Sequence, residues 1–137
     1  MPPLAKALPF IYNLIYMNNK ISVIIIDDHP LVLSGFEFIL NNSLEIVLKG
    51  TFACAENALD FLQEASVDVA LVDINLPGMN GIDTMTIINK EYPDTKVIAI
   101  SNLNEGSIAL RMLQAGALGY LLKNVSAEEL IAGIHEV

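Results

Sequence analysis

Five polar side chains stand where apolar runs stop, and together they could move a phosphoryl group. Asp27 and Asp28 follow Ile21-Ser-Val-Ile-Ile-Ile26, Asp73 follows Val67-Asp-Val-Ala-Leu-Val72, Ser101 follows Lys96-Val-Ile-Ala-Ile100, and Lys123 follows Ala117-Leu-Gly-Tyr-Leu-Leu122. Three carboxylates brought together repel one another and raise their pKa values unless a cation neutralises them, and a hard divalent ion with oxygen ligands does this best. Mg²⁺ is the expected ion, because it keeps coordination positions open for phosphoryl oxygens. Asp73 could then attack phosphorus and become an acyl phosphate, while the Lys123 ammonium and the Ser101 hydroxyl hold the phosphoryl oxygens. Taken singly, each residue has a plainer reading: Asp27 and Asp28 as helix-capping acids, Lys123 as a surface lysine, Ser101 as a loop hydroxyl.

Bringing these residues together requires a particular frame. The β-branched run Ile21–Ile26 and the runs Glu45–Gly50, Val67–Val72, Lys96–Ile100 and Ala117–Leu122 read as five strands. The stretches between them read as helices: Pro30 to Leu40 with proline in its first turn, Ala55 to Ala65, Gly81 to Glu91, and Asn104 to Ala115 closed by Gly116. A last helix begins at the capping box Ser126-Ala-Glu-Glu129. Strand and helix in alternation predict a doubly wound α/β fold with a parallel sheet covered on both faces. Ligands of such sheets sit outside the carboxyl ends of the strands, where all five polar residues fall.

The 137 residues suit one domain, and 53% hydrophobic against 17% charged residues marks it as globular. A formal net charge of −9 excludes direct nucleic-acid binding by a basic face. Cys54 is the only cysteine, which rules out an internal disulfide and favours a cytoplasmic setting. Residues 1–19 read as an N-terminal extension. Met1 to Tyr16 is apolar but broken by Pro2, Pro3 and Pro9, too short to span a bilayer and without a small-residue cleavage site, so no membrane role is expected. Met17-Asn-Asn-Lys20 would serve as an alternative start.

The ordered set Asp27-Asp-His-Pro30, Asp73-Ile-Asn-Leu-Pro-Gly-Met-Asn-Gly81, Ser101 and Ala115-Gly-Ala-Leu-Gly-Tyr-Leu-Leu-Lys123 resembles the receiver domains of two-component response regulators. The match runs over 20–137 and is closest to the branch with a LuxR/NarL-type helix-turn-helix output domain. That resemblance implies a CheY- or flavodoxin-like sheet of order 2-1-3-4-5. It also implies Asp73 as phosphoacceptor, Asp28 as direct metal ligand, Asp27 as an acid holding metal-bound water, and the Asn75 backbone carbonyl as a further ligand. Ser101 and Tyr120 resemble the switch pair, which alters the face of the fourth helix, fifth strand and fifth helix. The implied partners are a sensor histidine kinase and a second copy of the domain upon phosphorylation. The implied role is signal transduction and transcription regulation, with no catalysis beyond the domain's own phosphorylation and dephosphorylation. The alternative is a degenerate receiver, an unphosphorylated binding or dimerisation module.

Two positions depart from the family pattern: Asn124 stands where many members place proline after the lysine, and Asn102 follows the switch hydroxyl where a small residue is usual. Pro77, Gly78 and Gly81 read as scaffold, with Gly81 allowing a tight turn. His29 reads as a loop residue at a helix start rather than a ligand.

Overall fold

The computed structural model describes residues 20–102 and 106–137. The expected 1–19 extension and the expected start of the fourth helix at Asn104 lie outside them. Strands β1 (Ile21–Ile26), β2 (Ile46–Phe52), β3 (Val69–Asp73), β4 (Lys96–Ser101) and β5 (Gly119–Leu122) form one parallel sheet in the order β2-β1-β3-β4-β5. Helices α1 (Pro30–Asn41), α2 (Ala55–Leu62), α3 (Gly81–Glu91), α4 (Gly106–Gln114) and α5 (Ala127–Glu136) return the chain between strands and close it.

Alternate residues of each strand feed two cores, because successive side chains point to opposite faces. Val23, Ile25, Leu71, Ile98 and Ile100 pack with Phe36 and Leu40 of α1 and with Leu130 and Ile134 of α5. Ile24, Ile26, Ala70, Val72 and Ala99 pack on the other face with Ala58 of α2, Met85 and Ile88 of α3, and Met112 of α4. With both faces covered, the central strands are apolar throughout, and each fully buried aliphatic side chain contributes about 1.5–3 kcal/mol.

The β2 strand runs two residues past the expected Gly50. Thr51 and Phe52 pair with Ile25 and Ile26 after a register shift at Val23/Ile24 that absorbs Lys49. A β-branched and an aromatic side chain suit that extension, and it puts the Phe52 carbonyl where it accepts from the Asp27 N–H at 2.9 Å. At the start of α5, Ser126 Oγ accepts from the Glu129 N–H at 3.1 Å, one half of the capping box. The Lys123–Asn124 peptide bond is trans.

Gly81 serves a different purpose from the expected one. It is buried at the start of α3, and a Cβ there would collide with the Asp73 carbonyl and the Ile74 Cα, while its N–H donates to the Ile74 carbonyl at 3.1 Å. The requirement is close approach of a helix to the end of β3; the residue in the left-handed region is Gly78, at φ 71°. Since the clash is with backbone, Gly81→Ala should destabilise the domain by about 3 kcal/mol in urea unfolding. A loss below about 0.5 kcal/mol would contradict that close approach.

Candidate functional site

Backbone ladders fix the site before any side chain does. Asp27 extends β1 by its bond to Phe52, Asp73 is the last residue of β3 in register with Ile100, and the Lys123 N–H donates to the Ser101 carbonyl at 2.9 Å, one step beyond β5. Parallel strands in register therefore deliver Asp27, Asp73, Ser101 and Lys123 to one edge, as the sequence predicts.

Asp27 and Asp73 are buried there, 0% and 1% exposed. The Lys123 side chain, 3% exposed, reaches across β4 to place Nζ 2.9 Å from Asp27 Oδ2 and 3.1 Å from Asp73 Oδ2. Strands lie about 4.8 Å apart, so only a long side chain makes that crossing. Both buried Oδ2 atoms thus pair with the Lys123 ammonium. Asp73 Oδ1 accepts from the Asn75 N–H at 3.1 Å, which draws the loop after β3 over the acid. Asp28 sits at the exposed rim.

Ser101 is fully buried beside the Lys123 backbone. Tyr120 lies on β5 in register with Ala99, and its half-buried ring packs against the core shared with α3 and α4. The structure thus gathers Asp27, Asp28, Asp73, Ser101 and Lys123 at one end, with Tyr120 on the adjoining face.

Three features escaped the sequence reading. His29 turns its ring into the acids, with Nδ1 2.7 Å from Asp27 Oδ1. Asn80 caps α3, its Oδ1 accepting from the Asp83 N–H at 2.9 Å, a signal legible as asparagine before a helix. Glu56, at the start of α2, has a carboxyl held below the usual range, first by its own backbone N–H and also by the Met79 N–H, which ties α2 to the loop after β3.

The donor set fits Mg²⁺. Asp27, Asp28 and Asp73 offer carboxylate oxygens within 4.8 Å of one another, the hard oxygen donors that this ion takes.

Residues 23–135 match the model of the response regulator receiver domain. The chain belongs to that family. The receiver is 37% identical over 119 residues to the transcriptional regulatory protein DegU of Brevibacillus brevis, covering 87% of this chain and 50% of DegU. It thus spans about half the length of the curated relatives it matches. The solved signal receiver domain of NarL from Mycobacterium tuberculosis superposes with a TM-score of 0.81 at 31% identity, covering 86% of this chain and 95% of that one. RcsB from Salmonella enterica serovar Typhimurium, solved on a promoter with the phosphomimetic BeF₃⁻, superposes with a TM-score of 0.79 at 26% identity, covering 85% of this chain and 67% of RcsB. No helix among the described residues is long and apolar enough to cross a membrane.

Burial raises the Asp73 pKa; the Asn75 N–H and the Lys123 ammonium lower it, and the Asp27 charge adds to the rise. A carboxyl whose folded pKa exceeds its unfolded value makes ionisation costly to the fold: the penalty is absent below the unfolded value and complete above the folded one. In chelator, the stability of Asp73→Asn minus that of the parent should therefore grow as pH rises from the ordinary carboxylate range through the raised Asp73 value, and then level off. Denaturant midpoints across that range check it, and a flat difference would contradict it.

Proposed function

We propose that this receiver is operated by phosphorylation of Asp73. What supports this reading above all is the pair of buried carboxylates, Asp27 and Asp73, set against the single ammonium of Lys123. Unbalanced negative charge in a dry site favours entry of a cation, and that cation together with the Lys123 ammonium can then receive the negative phosphoryl oxygens.

Each residue then has a task. Asp27, Asp28, Asp73 and the Asn75 carbonyl hold Mg²⁺, which when bound neutralises the acids and the phosphoryl oxygens. A carboxylate oxygen of Asp73 attacks phosphorus in line; the bond to the donor breaks as the new O–P bond forms, and the donor leaves with the electron pair. The Lys123 ammonium moves from the carboxylates to a phosphoryl oxygen, and the Ser101 hydroxyl donates to another. No general base is needed, since the nucleophile is already an anion.

The donor is a sensor histidine kinase, and catalysis is confined to the domain's own phosphorylation and dephosphorylation. Residues 20–137 form the receiver and 1–19 an extension to it. Ser101 and Tyr120 form the switch: the hydroxyl moves toward the phosphoryl group, the ring turns inward, and the α4-β5-α5 face changes. That change governs dimerisation or an output domain, and through it transcription. DegU is described as a transcriptional regulatory protein and RcsB was solved on a promoter, which supports such an output.

Intact mass after incubation with acetyl phosphate and Mg²⁺ tests the proposal. The parent should gain one phosphoryl group, and Asp73→Ala or excess chelator should abolish the gain. An unmodified parent that still binds Mg²⁺ would instead indicate an unphosphorylated binding module.

A further inference from the structure

Asn80 is the only asparagine in the chain that glycine follows. That pair has a chemistry of its own, because a glycine amide nitrogen, with no Cβ to hinder its approach, can attack the asparagine side-chain amide. The Gly81 N–H gives up its proton and the nitrogen bonds to Asn80 Cγ. The Cγ–Nδ2 bond then breaks and ammonia leaves. Water opens the resulting five-membered imide, at Cγ to give aspartate or at the Asn80 backbone carbonyl to give isoaspartate. Solvent is the only co-reactant.

The folded receiver holds each participant out of place. Asn80 is extended at φ −74°, ψ 167°, which turns the Gly81 nitrogen out of the near-planar ring that closure demands. The nucleophile is itself engaged: the buried Gly81 N–H donates to the Ile74 carbonyl at 3.1 Å. Asn80 Oδ1 accepts from the Asp83 N–H at 2.9 Å, and the Asn80 carbonyl accepts from the Thr84 N–H at 3.0 Å and from Thr84 Oγ1 at 2.8 Å. Rotating Asn80 also means shifting Gly81, which is pressed against the Asp73 carbonyl and the Ile74 Cα. The Asn80 residue is exposed, so solvent already has access and only the geometry is closed.

We propose that Asn80–Gly81 is a spontaneous deamidation site gated by the seating of α3 on the end of β3, so that conversion at Asn80 records each opening of the loop that covers Asp73. The gate is local. That loop is tied at Asn75 to Asp73, at Met79 to the Glu56 carboxylate, and at Gly81 to Ile74. Releasing the outer two ties frees Asn80 to rotate while the sheet stays folded. The two products then differ in effect. Aspartate caps a helix as well as asparagine does and its charge suits the helix N-terminus, so α3 reseats. Isoaspartate lengthens the main chain by a methylene next to a glycine that has no room even for a Cβ, so α3 does not reseat.

The test follows the whole chain by peptide mapping and mass at mildly alkaline pH, in buffer and in denaturing guanidinium chloride. In denaturant, Asn80 should be the first asparagine to convert, giving both acids; in buffer the same conversion should run at least about thirtyfold slower. Glu56→Ala cuts a surface tether without touching the core. It should raise the rate in buffer about threefold or more, out of proportion to any change in its unfolding midpoint, and leave the rate in denaturant unchanged. Once denaturant is removed, separated aspartate chains should regain the parental midpoint and isoaspartate chains should not. Equal rates in buffer and denaturant would overturn the gate, and an unresponsive Glu56→Ala would overturn its being local. Earlier conversion at another asparagine would overturn the site, and equal midpoints for the two products would overturn the part given to Gly81.

Discussion

Asp27 and Asp73 are two carboxylates taken out of water within reach of a single ammonium, and the rest of the molecule is arranged around that arrangement. Desolvation costs each ion several kcal/mol, and one lysine cannot repay two carboxylates. A fold tolerates such a debt only where the backbone leaves the groups no escape. Here each is anchored by a ladder bond at a strand end, Asp27 to Phe52 and Lys123 to Ser101, while Asp73 ends the central strand β3. Two apolar cores on either face hold those strand ends in register.

The loop after β3 follows from the same constraint. The Asn75 N–H satisfies one oxygen of Asp73, Gly78 makes the turn, Asn80 starts α3, and Gly81 lets that helix come down onto the Asp73 carbonyl. Glu56 tethers the loop from the side through Met79. On the proposed reading, stabilisation would arrive with the bound cation and phosphoryl group, and a loaded site would bias the packing of Ser101 and Tyr120.

Much of this was legible in the sequence because strand-end residues inherit their position from apolar runs. Five such runs placed Asp27, Asp28, Asp73, Ser101 and Lys123 on one edge once a parallel sheet was assumed, and the observed strand order is the one the receiver resemblance implies. Features that depend on close three-dimensional approach were not legible. Nothing local to Gly81 announces that a helix will touch the Asp73 carbonyl, and the turn it was expected to make belongs to Gly78. The extension of β2 to Phe52 required a register shift invisible to periodicity. His29 read as a loop residue because its relation to Asp73 exists only across the sheet.

The most direct measurement of the central claim is to treat the Mg²⁺-loaded protein with acetyl phosphate, reduce it with borohydride, and map the peptides by mass. Reduction converts an aspartyl phosphate to homoserine and so marks the acceptor itself. The account predicts homoserine at position 73 and at no other aspartate, and only when Mg²⁺ is present. Homoserine at Asp27 or Asp28, or none anywhere in protein that binds Mg²⁺, would contradict it.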